Sequence, residues 1–234
     1  MHRAIIFDKD GTLFDFHATW TGWAKALLLR LAGDNQTRAA EMGKAIGFDF
    51  VGRYFRSDSI AIAGTTADIA RRLLPFLVDE TLDSLLATIN SDAREAAQAE
   101  VVPLAPFLDL LLRRGLKLGV VTNDSEQSAR VHLQRAGVLD RFAYIAGYDS
   151  GLGIKPDEGP LLSCCAALGV SARETIMVGD SWFDLEPARR TGMMAVGVLT
   201  GMAEAAELKR YADVVLTHIG DIPTWLDKET VTLN

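Results

Sequence analysis

The most constraining feature of the sequence is a four-residue apolar run, Ala4-Ile5-Ile6-Phe7, that stops at Asp8-Lys9-Asp10-Gly11 and meets no other segment that reads convincingly as a strand until Lys117–Val121. A run that is apolar at every position reads as a strand buried on both faces, as in a parallel sheet covered by helices. A single strand cannot satisfy its own backbone, so this one must pair with segments far downstream.

Those segments are recognisable. Residues 108–114 read as a helix closed by Gly115, Lys117–Val121 as a strand, residues 125–136 as a helix closed by Gly137, and residues 142–146 as a strand. Residues 161–168 are helical, 175–178 a strand, 184–191 a helix closed by Gly192, Met194–Val198 a strand and Val214–Leu216 a last short strand. Strands alternating with helices over short connections imply an α/β fold, a doubly wound parallel sheet. Between His17 and Glu100 the texture differs. Trp20, Trp23, Ala24, Leu27, Leu28 and Leu31 recur at helical spacing before Gly33, residues 68–77 and 82–99 continue the pattern, and no convincing strand interrupts it. The expected division is an α/β core of residues 1–15 and 101–234, with residues 16–100 inserted as an all-helical domain.

Composition narrows the function classes. With 24 Lys and Arg against 31 Asp and Glu, the net charge is −7, a balance that argues against a nucleic-acid partner, which needs a clustered basic surface. No apolar stretch resembles a signal peptide or reaches the roughly 18 residues that cross a bilayer, so no membrane association and a soluble, cytoplasmic protein are expected. Cys164 and Cys165 are adjacent inside an apolar run and read as buried thiols, neither a disulfide nor a metal pair. His2, His17, His132 and His218 are scattered and read as surface or packing residues.

Ligands of an open parallel sheet bind beyond the carboxyl ends of its strands. Those positions carry Asp8-Lys9-Asp10-Gly11-Thr12, Thr122-Asn123, and Gly179-Asp180 through Asp184. Any one of these is an ordinary turn or helix cap; three at the ends of three strands point to a site. Carboxylates gathered there repel, by about 4 kcal/mol for a pair 4 Å apart at an effective dielectric near 20, so a cation is required. A hard divalent ion such as Mg²⁺ suits oxygen ligands and a substrate phosphate, and Lys155, in the loop Gly151-Leu152-Gly153-Ile154-Lys155-Pro156-Asp157, supplies a protein charge.

These residues resemble the motifs of the haloacid-dehalogenase-like superfamily of aspartate-nucleophile phosphatases: Asp8-Lys9-Asp10-Gly11-Thr12-Leu13, then Val120-Val121-Thr122-Asn123, then Lys155-Pro156, then Gly179-Asp180 to Asp184. The segment Asp184–Met193 and the helical insert are similar to the phosphoglycolate-phosphatase-like branch, in which the insert is a cap domain. The resemblance implies that Asp8 is the nucleophile, forming an aspartyl phosphate, and that Asp10 is the general acid–base. It implies an Mg²⁺ site of Asp8, Asp10 (through its backbone carbonyl) and Asp180, supported by Asp184. It assigns the phosphate to Gly11, Thr122, Asn123 and Lys155, with backbone N–H groups at the start of the next helix assisting. The second aspartate, Asp10, argues against dehalogenation, and Thr12 favours hydrolysis over mutase chemistry.

The implied activity is phosphatase action on a small phosphorylated metabolite, phosphoglycolate-like or a sugar phosphate. The alternatives are a phosphotransferase or phosphomutase using the same aspartyl phosphate, or a non-catalytic binding protein of the same fold. Within the cap, Gly47 to Ser57 mixes arginines with aromatics and is the expected specificity loop, in which Arg53 or Arg56 would hold a carboxylate or second phosphate.

Overall fold

The computed structural model describes residues 2–56 and 58–232. Strand β1 (Ala4–Phe7) is followed by α1 (Phe16–Leu31), α2 (Gln36–Ile46), β2 (Phe48–Asp49), β3 (Tyr54–Phe55), α3 (Ile60–Ala63), α4 (Thr66–Leu73) and α5 (Leu82–Glu95). Then come α6 (Leu104–Arg113), β4 (Lys117–Val121), α7 (Glu126–Arg135), β5 (Tyr144–Ala146), α8 (Gly159–Leu168) and β6 (Thr175–Gly179). The chain continues with α9 (Trp182–Thr191), β7 (Met194–Val198), α10 (Ala205–Leu208), β8 (Val214–Leu216) and α11 (Ile222–Thr232).

Six strands form one parallel sheet in the order β5-β4-β1-β6-β7-β8, with Ile5 opposite Leu118 on one side and Ile176 on the other. The first strand in the chain is therefore central, and the chain order diverges on either side of it. The two-residue period of the strand decides the packing. Ile5 and Phe7 join Leu108, Leu111 and Leu133 in one apolar layer, while Ala4 and Ile6 join Leu161, Leu168 and Leu185 in the other. Each fully buried aliphatic or aromatic side chain contributes roughly 1.5–3 kcal/mol. Cys164 and Cys165 belong to the second layer as free, buried thiols.

The chain leaves the sheet after β1 and returns beside itself: Asp15 N donates to Ala99 O at 2.8 Å and Val101 N to Leu13 O at 3.1 Å. Between these crossings a separate apolar cluster is built from Phe16, Leu28, Met42, Phe48, Leu73 and Ile89, among others. This is the expected helical cap, with two additions. Helix α2, which the periodicity did not suggest, buries Ala39, Met42, Gly43 and Ile46 on one stripe of an otherwise polar segment, starts on the side chain of Asn35 and stops at Gly47, φ +77°. The insert is also not wholly helical. A two-residue antiparallel ribbon pairs Phe48 with Phe55 and Asp49 with Tyr54. Its turn is made by Asp49 Oδ1, which accepts from the N–H groups of Val51 and Gly52, and by Arg53 at φ +56°.

Candidate active site

Because β1 lies between β4 and β6, the residues that follow these three strands are neighbours. Asp8 follows β1, Thr122 follows β4 and Asp180 follows β6; all three are buried and line one recess of about 640 Å³, solvent mouth included, together with Asp10, Lys155 and Asp184. Most of the expected constellation is thus assembled, at the divergence point of the sheet where ligands of such folds bind.

Its centre is an ion triplet. Lys155 Nζ donates to Asp8 Oδ1 and Asp184 Oδ1, both at 2.6 Å, and is only 3% exposed. Burial alone would lower the lysine's pKa, but Asp184 and Asp8 outweigh it, so the ammonium is held above its ordinary range. Burial pushes the Asp8 carboxyl up to about 7 in the metal-free protein; Lys155 opposes this, and Asp184 and Asp10 reinforce it. Asp180 is likewise raised, by burial and then by Asp8 and Asp184. Ligand atoms of Asp8, Asp180 and Asp184 lie within 4.8 Å of one another, and among the described residues Lys155 makes its ion pairs with Asp8 and Asp184.

That donor set fits Mg²⁺. It is all hard oxygen, it carries more negative charge than its one lysine offsets, and space is reserved around Asp180. A Cβ on Gly11 would lie 2.5 Å from Asp180 Oδ2, and one on Gly201 would overlap it. Asp184 is the most committed member, since its Oδ2 accepts from Ser181 N at 3.2 Å and Ser181 Oγ at 2.7 Å to cap α9. The carboxylate of Asp10 points elsewhere, to Lys9 Nζ at 2.7 Å, so only its backbone carbonyl is available for the role that the resemblance gives it at the metal.

Several sequence-based assignments change. Gly11 does not line the recess: its N–H is donated to Phe14 O at 2.7 Å, and at φ +86° its missing side chain makes room for Asp180. Asn123 lines the recess, but its amide clamps the lysine loop, donating to Lys155 O and accepting from Lys155 N, each at 2.9 Å. The helix-start donors are engaged internally: Asp124 N on Thr122 Oγ1, Ser125 N on Asp124 Oδ1 and Glu126 N on Asp149 Oδ1. Arg53 and Arg56 lie outside the recess. The left-handed turn at Arg53 sends it to an outer groove with Lys25, Lys44 and Phe50, and Arg56 is exposed and paired with Asp58. Ser57, the end of that segment, lies outside the described residues.

Lys9 was not anticipated. It is fully buried, a rare state for lysine without partners, and its ammonium meets Asp10 at 2.7 Å, Asp124 at 3.1 Å and His132 Nδ1 at 3.2 Å, 5.3 Å from the centre of the Trp20 ring. Burial would lower its pKa; Asp10 and Asp124 raise it above the ordinary value. His132 is more than a packing residue. Its Nε2 lies 2.9 Å from the carbonyl of Ala93, which only accepts, so Nε2 carries the proton and Nδ1 accepts from Lys9. Burial, reinforced by Lys9, keeps the imidazole neutral, with a pKa pushed down to about 4. The only sequence signal was the position of a lysine between two aspartates. On the cap side the recess is lined by Phe16, Trp20, Trp23, Phe55, Ile62 and Ile69.

Comparison with known proteins gives this geometry a family. Residues 2–192 match the model of the haloacid dehalogenase-like hydrolases. The chain is 38% identical to a phosphoglycolate phosphatase of Chromobacterium violaceum over 225 residues, 94% of each chain. It is 32% identical to one of Rhodospirillum rubrum over 235 residues, 97% of this chain and 91% of the other. The crystal structure of a predicted phosphoglycolate phosphatase from Haemophilus somnus superposes with a TM-score of 0.76 at 20% identity, covering 96% and 98% of the two chains.

Proposed function

This chain belongs to the haloacid dehalogenase-like hydrolase family, and from that premise we propose that it is an Mg²⁺-dependent phosphomonoesterase acting on a small phosphate ester through an aspartyl phosphate on Asp8. In this reading residues 1–15 and 101–234 form the catalytic core, residues 16–100 close over it, and the protein works in the cytoplasm, where such metabolites occur. No helix among the described residues is long and apolar enough to cross a membrane. The observation that carries the reading is Lys155 held between Asp8 and Asp184, beside Thr122 and Asp180 in one recess.

The chemistry follows from those positions. Lys155 takes Oδ1 of Asp8 and leaves the second oxygen to attack phosphorus. As that P–O bond forms, the bond to the substrate's alcohol oxygen breaks, and Asp10 gives its proton to the departing alkoxide. Asp10 then takes a proton from a water whose oxygen attacks the same phosphorus, breaking the acyl phosphate and restoring the Asp8 carboxylate. Thr122 and Lys155 offer donors to the phosphoryl oxygens, and most of the rate comes from position and charge. Asp8, Asp180 and the Asp10 carbonyl would hold Mg²⁺, with Asp184 behind, and the ion would supply the positive charge that lets a carboxylate approach a phosphate dianion.

The two family relatives, named as phosphoglycolate phosphatases, support hydrolysis of a phosphate monoester. Phosphate release from a panel of phosphorylated metabolites tests the reading. Release is expected with Mg²⁺, to be lost in EDTA and to return when Mg²⁺ is restored; full activity in EDTA would overturn it.

A further inference from the structure

The cap side of the recess limits the alcohol that the site can hold. Among the described residues, no lysine or arginine of the cap lines it; the surfaces there belong to Phe16, Trp20, Trp23, Phe55, Ile62 and Ile69. The two buried cations nearby are already matched, Lys155 by Asp8 and Asp184 and Lys9 by Asp10 and Asp124. The polar groups of the aromatic wall are neutral: Thr66 Oγ1 donates to Asn90 Oδ1 at 2.7 Å, and the buried indole N–H of Trp23 has no acceptor among the described residues.

An adjoining groove gives a second, independent indication. It shares Ile62, Asp180 and Phe183 with the recess and adds Asp58, Asp68 and Glu207, with no lysine or arginine among its lining residues. Arg56 and Arg71 pair with Asp58 and Asp68 from outside it. An ester bearing a carboxylate or a second phosphate would meet a desolvating aromatic wall on the cap side, with no cap lysine or arginine among the described lining residues to offset the lost hydration. A ring is suited to that wall. Trp20 and Trp23 stand edge to face at 5.0 Å and Phe16 and Phe55 at 5.4 Å; Trp23 is the partly exposed member, and this edge-to-face order is one that a further aromatic ring extends.

We infer that the substrate is a phosphate monoester whose alcohol carries an aromatic or similarly apolar ring and no second anionic group, selected by Trp20, Trp23 and Phe55. This rests on the phosphatase reading and departs from the substrate after which the relatives are named. Benzyl phosphate and phosphoglycolate are suitable probes, because both leave as unactivated alcohols and their ratio reports recognition. With the Mg²⁺-loaded protein, kcat/KM for benzyl phosphate should exceed that for phosphoglycolate at least about tenfold. Phe55→Ala should shrink that ratio, and Ile62→Arg should shift it towards phosphoglycolate by about tenfold or more. A wild-type ratio near one, or one favouring phosphoglycolate, overturns the inference and leaves the phosphatase reading intact. If neither ester is hydrolysed, the metabolite panel decides the phosphatase reading, and titration with the inert analogues phenylethylphosphonate and phosphonopropionate decides selection separately. Tighter binding of phenylethylphosphonate supports the aromatic preference; equal or weaker binding overturns it.

Discussion

Asp8→Asn lowers kcat by about 10⁴-fold or more, equivalent to about 5 kcal/mol of barrier at 1.36 kcal/mol per decade. An amide cannot serve as the anionic nucleophile, and no other carboxylate of the recess occupies the end of β1. The same substitution should not weaken the metal-free fold at pH 7.5. Burial, the largest cause, holds the Asp8 carboxyl up to about 7, whereas in the unfolded chain it ionises near 3.8. Between those values unfolding releases a proton, so the stability of metal-free wild type falls as pH rises from about 4 to about 7. The Asn variant is neutral throughout and lacks that component of the fall. Urea denaturation in EDTA across this range checks the sign. A variant clearly less stable than wild type at pH 7.5 would show that the ion pair with Lys155 outweighs the burial cost.

Lys155→Met has the largest expected effect on stability. It removes the cation that bridges Asp8 and Asp184 at 2.6 Å each and leaves three buried carboxylates without it. Removing one partner of a buried ion pair typically costs 3–5 kcal/mol, and a loss of about that size is expected in metal-free protein at pH 7.5. The loss should narrow at pH 5 as Asp8 and Asp180, both raised by burial, take up protons, and Mg²⁺ should restore part of it at pH 7.5. Activity should fall as well, since the loop no longer presents a charge to the phosphate. A variant that unfolds at the wild-type urea concentration in EDTA would remove the triplet from the account of the fold.

The catalytic rim was legible because strands buried on both faces are apolar at every position, and the charge that ends each one sits where ligands bind. Asp8, Thr122 and Asp180 each follow such a run directly. The cap was much less legible. In β3 the exposed Tyr54 and buried Phe55 alternate as a strand requires, and simple alternation would put Arg53 on the inner side with Phe55. The left-handed backbone at Arg53 breaks that alternation, so Phe55 reaches the recess and Arg53 does not. Helix α2 escaped notice because its four buried residues include an alanine and a glycine, which carry little apolar signal. Gly11 was given to the phosphate on motif grounds, yet its role is steric, making room for Asp180. Lys9 and His132 could not be paired from sequence, since 123 positions separate them and only the packing of α7 beside the loop after β1 brings them within 3.2 Å.

The central claim is that phosphorus is transferred to Asp8 before it reaches water. Asp10→Asn should slow breakdown of the acyl phosphate, so this variant, mixed with Mg²⁺ and an aryl phosphate whose phenolate departs without a proton, and quenched into borohydride, should accumulate a reducible aspartyl group. Peptide mass spectrometry is expected to find reduction to homoserine at Asp8 and at no other carboxylate of the recess. Phosphate release by the wild type, with Asp8 unreduced under the same quench in both proteins, would contradict the account.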